Sequence, residues 1–304
     1  MGNRACCACG DEATVEDGAG EPTLKCVAAV PRSALAADSL HEDAKLVILE
    51  DGAKFTGCWR DGKKHGFGIM ERPDGSRYEG HFEEDKASGL GRLENGGNIY
   101  EGQWAENQAS GFGRFTQKDG SYYEGQWLND QQQGFGIETW PDGSRFEGSY
   151  VANKKEGRGT FSWPDGACYT GEFLNNSIHG GGDYRWPDGR QYSGQWNQNS
   201  LNGLGHMTWP DGRCYRGFYV RDKKHGEGCF RWADGRQYSG QWVLGRQSGI
   251  GRFKSSDGKV RQGMWMKGVH KAWLEQEARD EEPADCFLPP DEVPPEEGED
   301  KVQS

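Results

Sequence analysis

The chain has 304 residues, of which 33% are hydrophobic and 48 are glycine, a composition that excludes a conventional aliphatic core. Its 12 Trp, 11 Tyr and 13 Phe equally exclude a wholly disordered polymer. The net charge of −12 lies at the ends: residues 1–50 carry four basic and nine acidic side chains, residues 51–274 carry 30 and 27, and residues 275–304 carry two and 12.

The first segment, residues 1–45, reads as a flexible tether with an acylation site. It opens Met1-Gly2-Asn3-Arg4-Ala5-Cys6-Cys7-Ala8-Cys9. Removal of Met1 would expose Gly2 for myristoylation, although Cys6 stands where Ser or Thr is favoured. Cys6, Cys7 and Cys9 suit palmitoylation. One myristoyl chain anchors marginally and a second acyl group makes attachment stable, so the four residues are coherent as a dual anchor. Cys6 and Cys9 also have zinc-ligand spacing, but a structural site needs four ligands and no second close pair follows. An incidental cysteine cluster is the plainer alternative. No apolar run approaches the ~20 residues of a spanning helix, no secretory apolar region is present, and the cysteine spacing points to a reducing compartment. The expected location is the cytoplasmic face of a membrane, with the plasma membrane preferred.

Residues 46–268 are periodic. An aromatic-x-Gly-x-aromatic motif starts at Phe55, Tyr78, Tyr100, Tyr123, Phe146, Tyr169, Tyr192, Tyr215 and Tyr238, a period of 23 residues with one step of 22. A degenerate tenth copy keeps Gly263 and Trp265. Eleven residues after each leading aromatic comes the first glycine of a Gly-x-Gly pair. Ahead of each block stands a turn such as Trp140-Pro141-Asp142-Gly143, in which Pro pre-sets the second position of a type I turn and Gly takes the left-handed position. Tyr123, Gly125 and Trp127 alternate with Glu124 and Gln126 as a strand requires. Each block is therefore one β-hairpin, marginal alone and stabilised by stacking, with rings expected over a neighbour's Gly-x-Gly gap. The predicted architecture is all-β: an elongated, single-layer antiparallel sheet of about ten stacked hairpins, roughly 90 Å long at ~4.8 Å per strand.

The recurrence of Tyr-Glu-Gly-Gln-Trp (100–104 and 123–127), Gly-Phe-Gly (111–113 and 134–136) and Asp-Gly (119–120 and 142–143) resembles the MORN repeat, named for membrane occupation and recognition nexus. The resemblance implies a binding or scaffolding role more than a reaction. Similar arrays occur in junctophilins at membrane junctions, in ciliary radial-spoke heads and in apicomplexan cytoskeletal proteins. Others precede the catalytic domains of plant phosphatidylinositol phosphate kinases and of a lysine methyltransferase. The 36 residues after position 268 are too few for either domain.

Charge divides the array. Residues 51–183 carry 14 basic and 21 acidic side chains, and residues 184–274 carry 16 and six. After the turn glycine stand Ala53, Ser76, Asn98, Ser121, Ser144 and Ala167, then Arg190, Arg213, Arg236 and Lys259, so four cations about 10 Å apart would line one edge. A second ladder, Trp140, Trp163, Trp186, Trp209 and Trp232, runs beside it. Indoles next to cations suit an anionic membrane surface or an acidic protein segment. The plainer reading packs each Trp on its neighbour and leaves each cation as a solvated edge.

Past the array, residues 269–280 read as a helical cap with Val269 and Trp273 on one face. Residues 281–304 read as an acidic, proline-bearing disordered tail whose charge opposes that of the last repeats and would suit a pseudo-ligand. His65, His179 and His225 recur at one turn position, separated by whole repeats. Cys168 and Cys214 share a register but lie two repeats apart, and Cys58, Cys229 and Cys286 have no partner signal. No nucleophile with a placed base, metal motif or nucleic-acid signature emerges, and no cofactor is implied. The expected function is a non-enzymatic, membrane-associated scaffold or adaptor binding proteins or anionic phospholipid. The alternatives are a part of a ciliary or cortical cytoskeletal assembly and, more weakly, a regulatory partner of a phosphoinositide kinase. The sequence sets no oligomeric state.

Overall fold

The computed structural model describes residues 40–274. Gly2, Cys6, Cys7, Cys9 and the tail 281–304 lie outside the described residues. Those that are described form one antiparallel sheet of 21 strands in which each strand pairs with its neighbours in sequence. A short strand β1 (Lys45–Ile48) opens the sheet, and ten hairpins follow, the first made of β2 (Lys54–Arg60) and β3 (Lys63–Glu71). Each later hairpin is named here by its leading aromatic.

Two turn chemistries alternate. Within a hairpin the strands meet at a two-residue loop with both residues left-handed, such as Asn129 (φ 48) and Asp130 (φ 63), whose backbone twist matches that of the strands. Asn and Asp tolerate this region, and they also reach back one repeat. Asp130 Oδ1 accepts from the Ala109 amide at 2.7 Å while its own amide donates to the Ala109 carbonyl at 3.0 Å, and Asn153 makes the same clamp on Gln132. Between hairpins the Trp-Pro-Asp-Gly turn behaves as its sequence requires: the Gly143 amide donates to the Trp140 carbonyl at 3.0 Å, Gly143 is left-handed, and Asp142 accepts from the Ser144 amide.

One face of the sheet is aromatic. Each leading ring lies flat over the glycine pair of its own hairpin, as Tyr192 does over Gly194 and Gly205, where any Cβ would collide with it. The rings do not cover a neighbour's gap; neighbours meet edge to face. An unbroken chain of such contacts runs Trp59, Phe55, Phe82, Tyr78, Trp104, Tyr100, Trp127, and so on to Tyr238 and Trp265. Trp104, Trp127, Trp196 and Trp242 add an indole N–H bond to a glycine carbonyl of the preceding hairpin at 3.0–3.2 Å.

A β-bulge follows the motif glycine in each of the nine copies from Phe55 to Tyr238, and in several it is satisfied by the motif itself. In the Tyr100 hairpin the Tyr100 hydroxyl donates to the Gln103 carbonyl at 2.9 Å, and Gln103 Oε1 accepts from the Phe112 amide at 2.7 Å. The Tyr192 hairpin repeats both bonds through Gln195. Tyr and Gln of the Tyr-x-Gly-Gln-Trp pattern thus answer the backbone groups that the bulge releases.

The helical cap expected over 269–280 is not formed in its described part. Val269–Trp273 is the last strand, paired with the strand before it through Trp265↔His270 and Met266↔Val269. Lys267 (φ 51) and Gly268 (φ 85) make a tenth left-handed loop that returns the chain as a strand, which covers the previous edge and seats Trp273 against Trp265.

Replacing Gly205 by Ala puts a Cβ 2.2 Å from the Tyr192 hydroxyl and 2.4 Å from its ring, which is buried and cannot swing away. The variant is expected to lose about 1–3 kcal/mol in urea unfolding. Gly181→Ala, whose Cβ meets nothing nearer than Glu172 Oε1 at 3.9 Å, should stay within about 0.5 kcal/mol of wild type. Equal losses would show that ring seating is not what the glycines provide.

Candidate binding groove on the aromatic face

The tryptophan ladder flanks the ring chain at the Pro-Asp-Gly edge. All five indoles, Trp140, Trp163, Trp186, Trp209 and Trp232, are half-buried against the core. A ring from the adjoining strand bridges most steps: Phe161 touches Trp140 (5.5 Å) and Trp163 (4.4 Å), Tyr184 touches Trp163 (5.3 Å) and Trp186 (4.5 Å), and Phe230 touches Trp209 (5.9 Å) and Trp232 (4.8 Å). The step from Trp186 to Trp209 differs, because Met207 stands at the bridging position. A groove of about 590 Å³ opens there, lined by Trp186, Trp209, Trp196, Met207, Tyr219 and Lys224, with Arg190, Lys223 and Asp222 also on its wall; the Asp222 carboxylate accepts from the Leu201 amide at 2.7 Å.

The four ladder cations are placed by their own turns. Arg190, Arg213 and Arg236 each pair through Nε with Asp188, Asp211 and Asp234 at 2.7 Å, and Lys259 pairs with Asp257 at 3.4 Å. Each guanidinium also lies over its own turn tryptophan, at 5.0–5.6 Å from the ring. The Arg190 amide and guanidinium hold the Asp188 carboxyl below its ordinary pKa. Earlier repeats bury a small residue at this position, Ser121 or Ala167 for example, where arginine is too large to follow. Four of the six acids in 184–274 are spent on these pairs, so the positive excess of this region rests on cations outside the ladder.

Lys224 is the cation that the sequence reading missed. It sits two residues past a left-handed loop, in a run Arg221-Asp222-Lys223-Lys224 that resembles solvated turn charge. Its register partner is Tyr219, which places it on the aromatic face. The ammonium lies 4.0 Å from the Phe230 centroid, 4.7 Å from Tyr215, 5.0 Å from Trp242 and 5.3 Å from Trp209. Among the described residues it has no carboxylate partner. Burial, with Arg213 nearby, pushes its pKa down from 10.5 to about 8. Alternation from Tyr215 to Tyr219, followed across the two-residue loop Arg221-Asp222 to the position opposite Tyr219, would have revealed it.

The other face carries polar pairs such as Arg92 with Glu101 at 3.3 Å. A hollow of about 710 Å³ opens on it where Gly181 replaces the usual large residue, but acids outnumber bases in its charged lining, Glu172 and Asp183 against Arg216, whereas the groove has Asp222 against Arg190, Lys223 and Lys224. Cys214 and Cys229 pack together as a buried pair, a contact between adjacent strands that register counting by whole repeats overlooks.

The MORN repeat model matches nine consecutive segments, 55–77, 78–97, 100–122, 123–145, 146–168, 169–189, 192–212, 215–235 and 238–260. No curated protein matches the chain. Among solved structures, the TCP10 domain of Danio rerio CPAP is similar at 13% identity over 71% of this chain and 96% of that one, with a TM-score of 0.38. The TCP domain of SAS-4 (dCPAP) of Drosophila melanogaster is similar at 15% identity over 67% and 99%, with a TM-score of 0.33. Scores this low carry no argument about what the groove does.

Because the Lys224 pKa is depressed only in the folded state, the unfolded chain binds more protons between about pH 8 and about pH 10, and this group's penalty on stability fades as pH rises through that window. Lys224→Met is therefore expected to be more stable than wild type at neutral pH by about 1–3 kcal/mol, with the gap narrowing towards about pH 10 in parallel urea titrations. A gap independent of pH would sink the assignment of a half-buried ammonium without a carboxylate partner.

Proposed function

The chain belongs to the MORN repeat family, and from that premise we propose that it is a non-enzymatic adaptor that receives an acidic protein segment in the groove between Trp186 and Trp209. The observation that carries this reading is the division among its cations. Those of the outer ladder are matched by their own turn aspartates, whereas Lys224, walled by rings inside the groove, has no carboxylate partner among the described residues. A partly desolvated ammonium among aromatic rings favours a carboxylate delivered on a narrow chain, with aromatic faces to grip its apolar atoms. A bilayer would first meet the ladder, whose exposed ion pairs offer little net attraction. Gly2 with Cys6, Cys7 and Cys9 supplies the membrane tether in this proposal.

Binding is tested with the full chain, a synthetic peptide of alternating Glu and Pro, its Gln-Pro counterpart, and phosphatidylserine vesicles against phosphatidylcholine vesicles. The acidic peptide should bind, and Lys224→Met should weaken it roughly tenfold or more. Combined replacement of Arg190, Arg213, Arg236 and Lys259 by Ser should change peptide affinity by less than about threefold. Equal affinity for both peptides, or phosphatidylserine binding that the ladder variant alone abolishes, would overturn the groove reading, the second result in favour of lipid. For the tether, imaging a C-terminally tagged chain should show membrane enrichment that Gly2→Ala and the combined Cys6, Cys7 and Cys9→Ser variant both lose. An unchanged distribution would remove the anchor.

A further inference from the structure

The array holds an internal template for the missing carboxylate. In the Phe146 hairpin, Tyr150 and Lys155 are register partners on the aromatic face, and both reach one acid: the Tyr150 hydroxyl donates to Glu138 Oε2 at 3.0 Å and Lys155 Nζ donates to it at 2.6 Å. Glu138 is contributed by the preceding strand, opposite Phe146. Three repeats later the same two groups recur as Tyr219 and Lys224, again register partners. The place of Glu138 is taken by Met207, opposite Tyr215. Among the described residues the Tyr219 hydroxyl is buried without a hydrogen-bond partner, on a residue only 3% exposed, and the half-buried Lys224 lacks a carboxylate. A hydroxyl and an ammonium that share an acid in one repeat therefore wait together in another, at the point where Met207 opens the groove. A buried hydroxyl left beside an ammonium without its acid favours the ligand that completes both.

The chain carries a segment that fits. From Phe287 it reads Phe287-Leu288-Pro289-Pro290-Asp291-Glu292-Val293-Pro294-Pro295-Glu296-Glu297. Were it bound in an extended polyproline form, three residues would advance about 9 Å, and Phe287, Pro290 and Val293 would share one edge. Successive ladder tryptophans stand two strands apart, about 10 Å. Phe287, Pro290 and Val293 would then match Trp232, Trp209 and Trp186, with Asp291 and Glu292 falling between Pro290 and Val293, level with the groove. Reach is sufficient: the 14 residues from Trp273 to Phe287 span up to about 45 Å, and Trp232 lies some four strands, about 20 Å, back from the last strand. Charge agrees, since residues 275–304 hold two basic and 12 acidic side chains and residues 184–274 hold 16 and six.

We infer that residues 287–297 dock in the Trp186–Trp209 groove of their own chain, an Asp291 or Glu292 carboxylate completing the Tyr219–Lys224 pair, so that the tail competes with the acidic partner segment. This rests on the groove reading above and gives it a regulator. A partner gains access by outcompeting a tethered rival, and modifications that alter the tail's charge shift that balance.

The test uses the full chain with a photo-cross-linking benzoylphenylalanine in place of Val293. Irradiation should give an intramolecular cross-link to the peptides bearing Trp186 or Trp209. Lys224→Met should reduce it several-fold, and so should Met207→Glu, which supplies the carboxylate internally as Glu138 does. The double variant Asp291→Asn, Glu292→Gln, with Val293 native, should bind the Glu-Pro peptide about threefold to tenfold more tightly than wild type. A cross-link elsewhere, one between two chains, or one indifferent to both groove variants overturns the tail's docking. If Met207→Glu still blocks the Glu-Pro peptide while Val293 gives no groove cross-link, the groove stands and the tail is not its occupant. If neither peptide nor cross-link responds to Lys224→Met and Met207→Glu, both readings fall.

Discussion

Edge-to-face contact between aromatic rings is the interaction on which this array depends. A single-layer sheet has no second layer to bury its apolar side, and most small sheets solve that with helices or another sheet. Here the rings form the missing layer themselves. From Trp59 to Trp265 every contact in the chain of rings is near-perpendicular, with centroids 4.9–5.6 Å apart. Such pairs contribute about 0.5–1.5 kcal/mol each beyond their buried area. Since each ring meets one in its own hairpin and one in the next, the stabilisation is of nearest-neighbour type, as expected of a quasi-one-dimensional array. The glycines follow from the same constraint, for a ring lying flat on the backbone leaves no room for a Cβ beneath it.

That constraint also decides where the array can vary. Leading rings, motif glycines, bulge-satisfying Gln and clamping Asn or Asp are committed to holding hairpin on hairpin. The positions beside them are not. Met70, Leu93, Phe115, Glu138, Phe161, Tyr184, Met207, Phe230 and Phe253 occupy one such register, and Lys64, Ala87, Ala109, Gln132, Lys155, Ile178, Leu201, Lys224 and Gln247 another. Combining an acid in the first with Lys in the second closes a site, as Glu138 and Lys155 do with Tyr150. Combining Met with Lys opens one. The groove is thus a local departure at two variable positions, made without disturbing the backbone on which it rests.

Much of this was legible in the residues. The 23-residue period, the Pro-Asp-Gly turns and the alternation around Tyr123 lead to the observed hairpins, because each depends on local sterics that one repeat's sequence contains. Seating of the rings was less legible. Sequence spacing cannot distinguish a ring over its own glycines from a ring over its neighbour's, and the answer depends on the bulge that pulls each strand inward after the motif glycine. The cap failed for a related reason: Val269 and Trp273 have helical spacing, but Lys267-Gly268 repeats the loop chemistry of nine earlier hairpins, and an open sheet edge rewards one more strand over a helix. At the site, Arg190, Arg213 and Arg236 recur with the repeat period and stand out in sequence, whereas Lys224 lies in a charged run whose facing is set by the loop before it. The aspartate two residues before each arginine was visible throughout and accounts for the pairing.

Aromatic residues and cations recur along this chain at nearly every repeat, so their presence alone does not locate a site. What separates one repeat from another is whether each polar group has found its complement. Arg190, Arg213 and Arg236 have done so within three residues of sequence, and Lys155 has done so across a strand. In low dielectric an unmatched charge is far more consequential than a matched one, because its desolvation is not offset. Lys224 and Tyr219 stand in that condition side by side, behind a methionine flexible enough to yield. In the proposed reading, what distinguishes this repeat is that a buried hydroxyl and a half-buried ammonium lie together without the acid that joins their counterparts Tyr150 and Lys155. Selectivity in such an array comes from where complementarity is withheld, and the ring chain makes that possible by carrying stability without it.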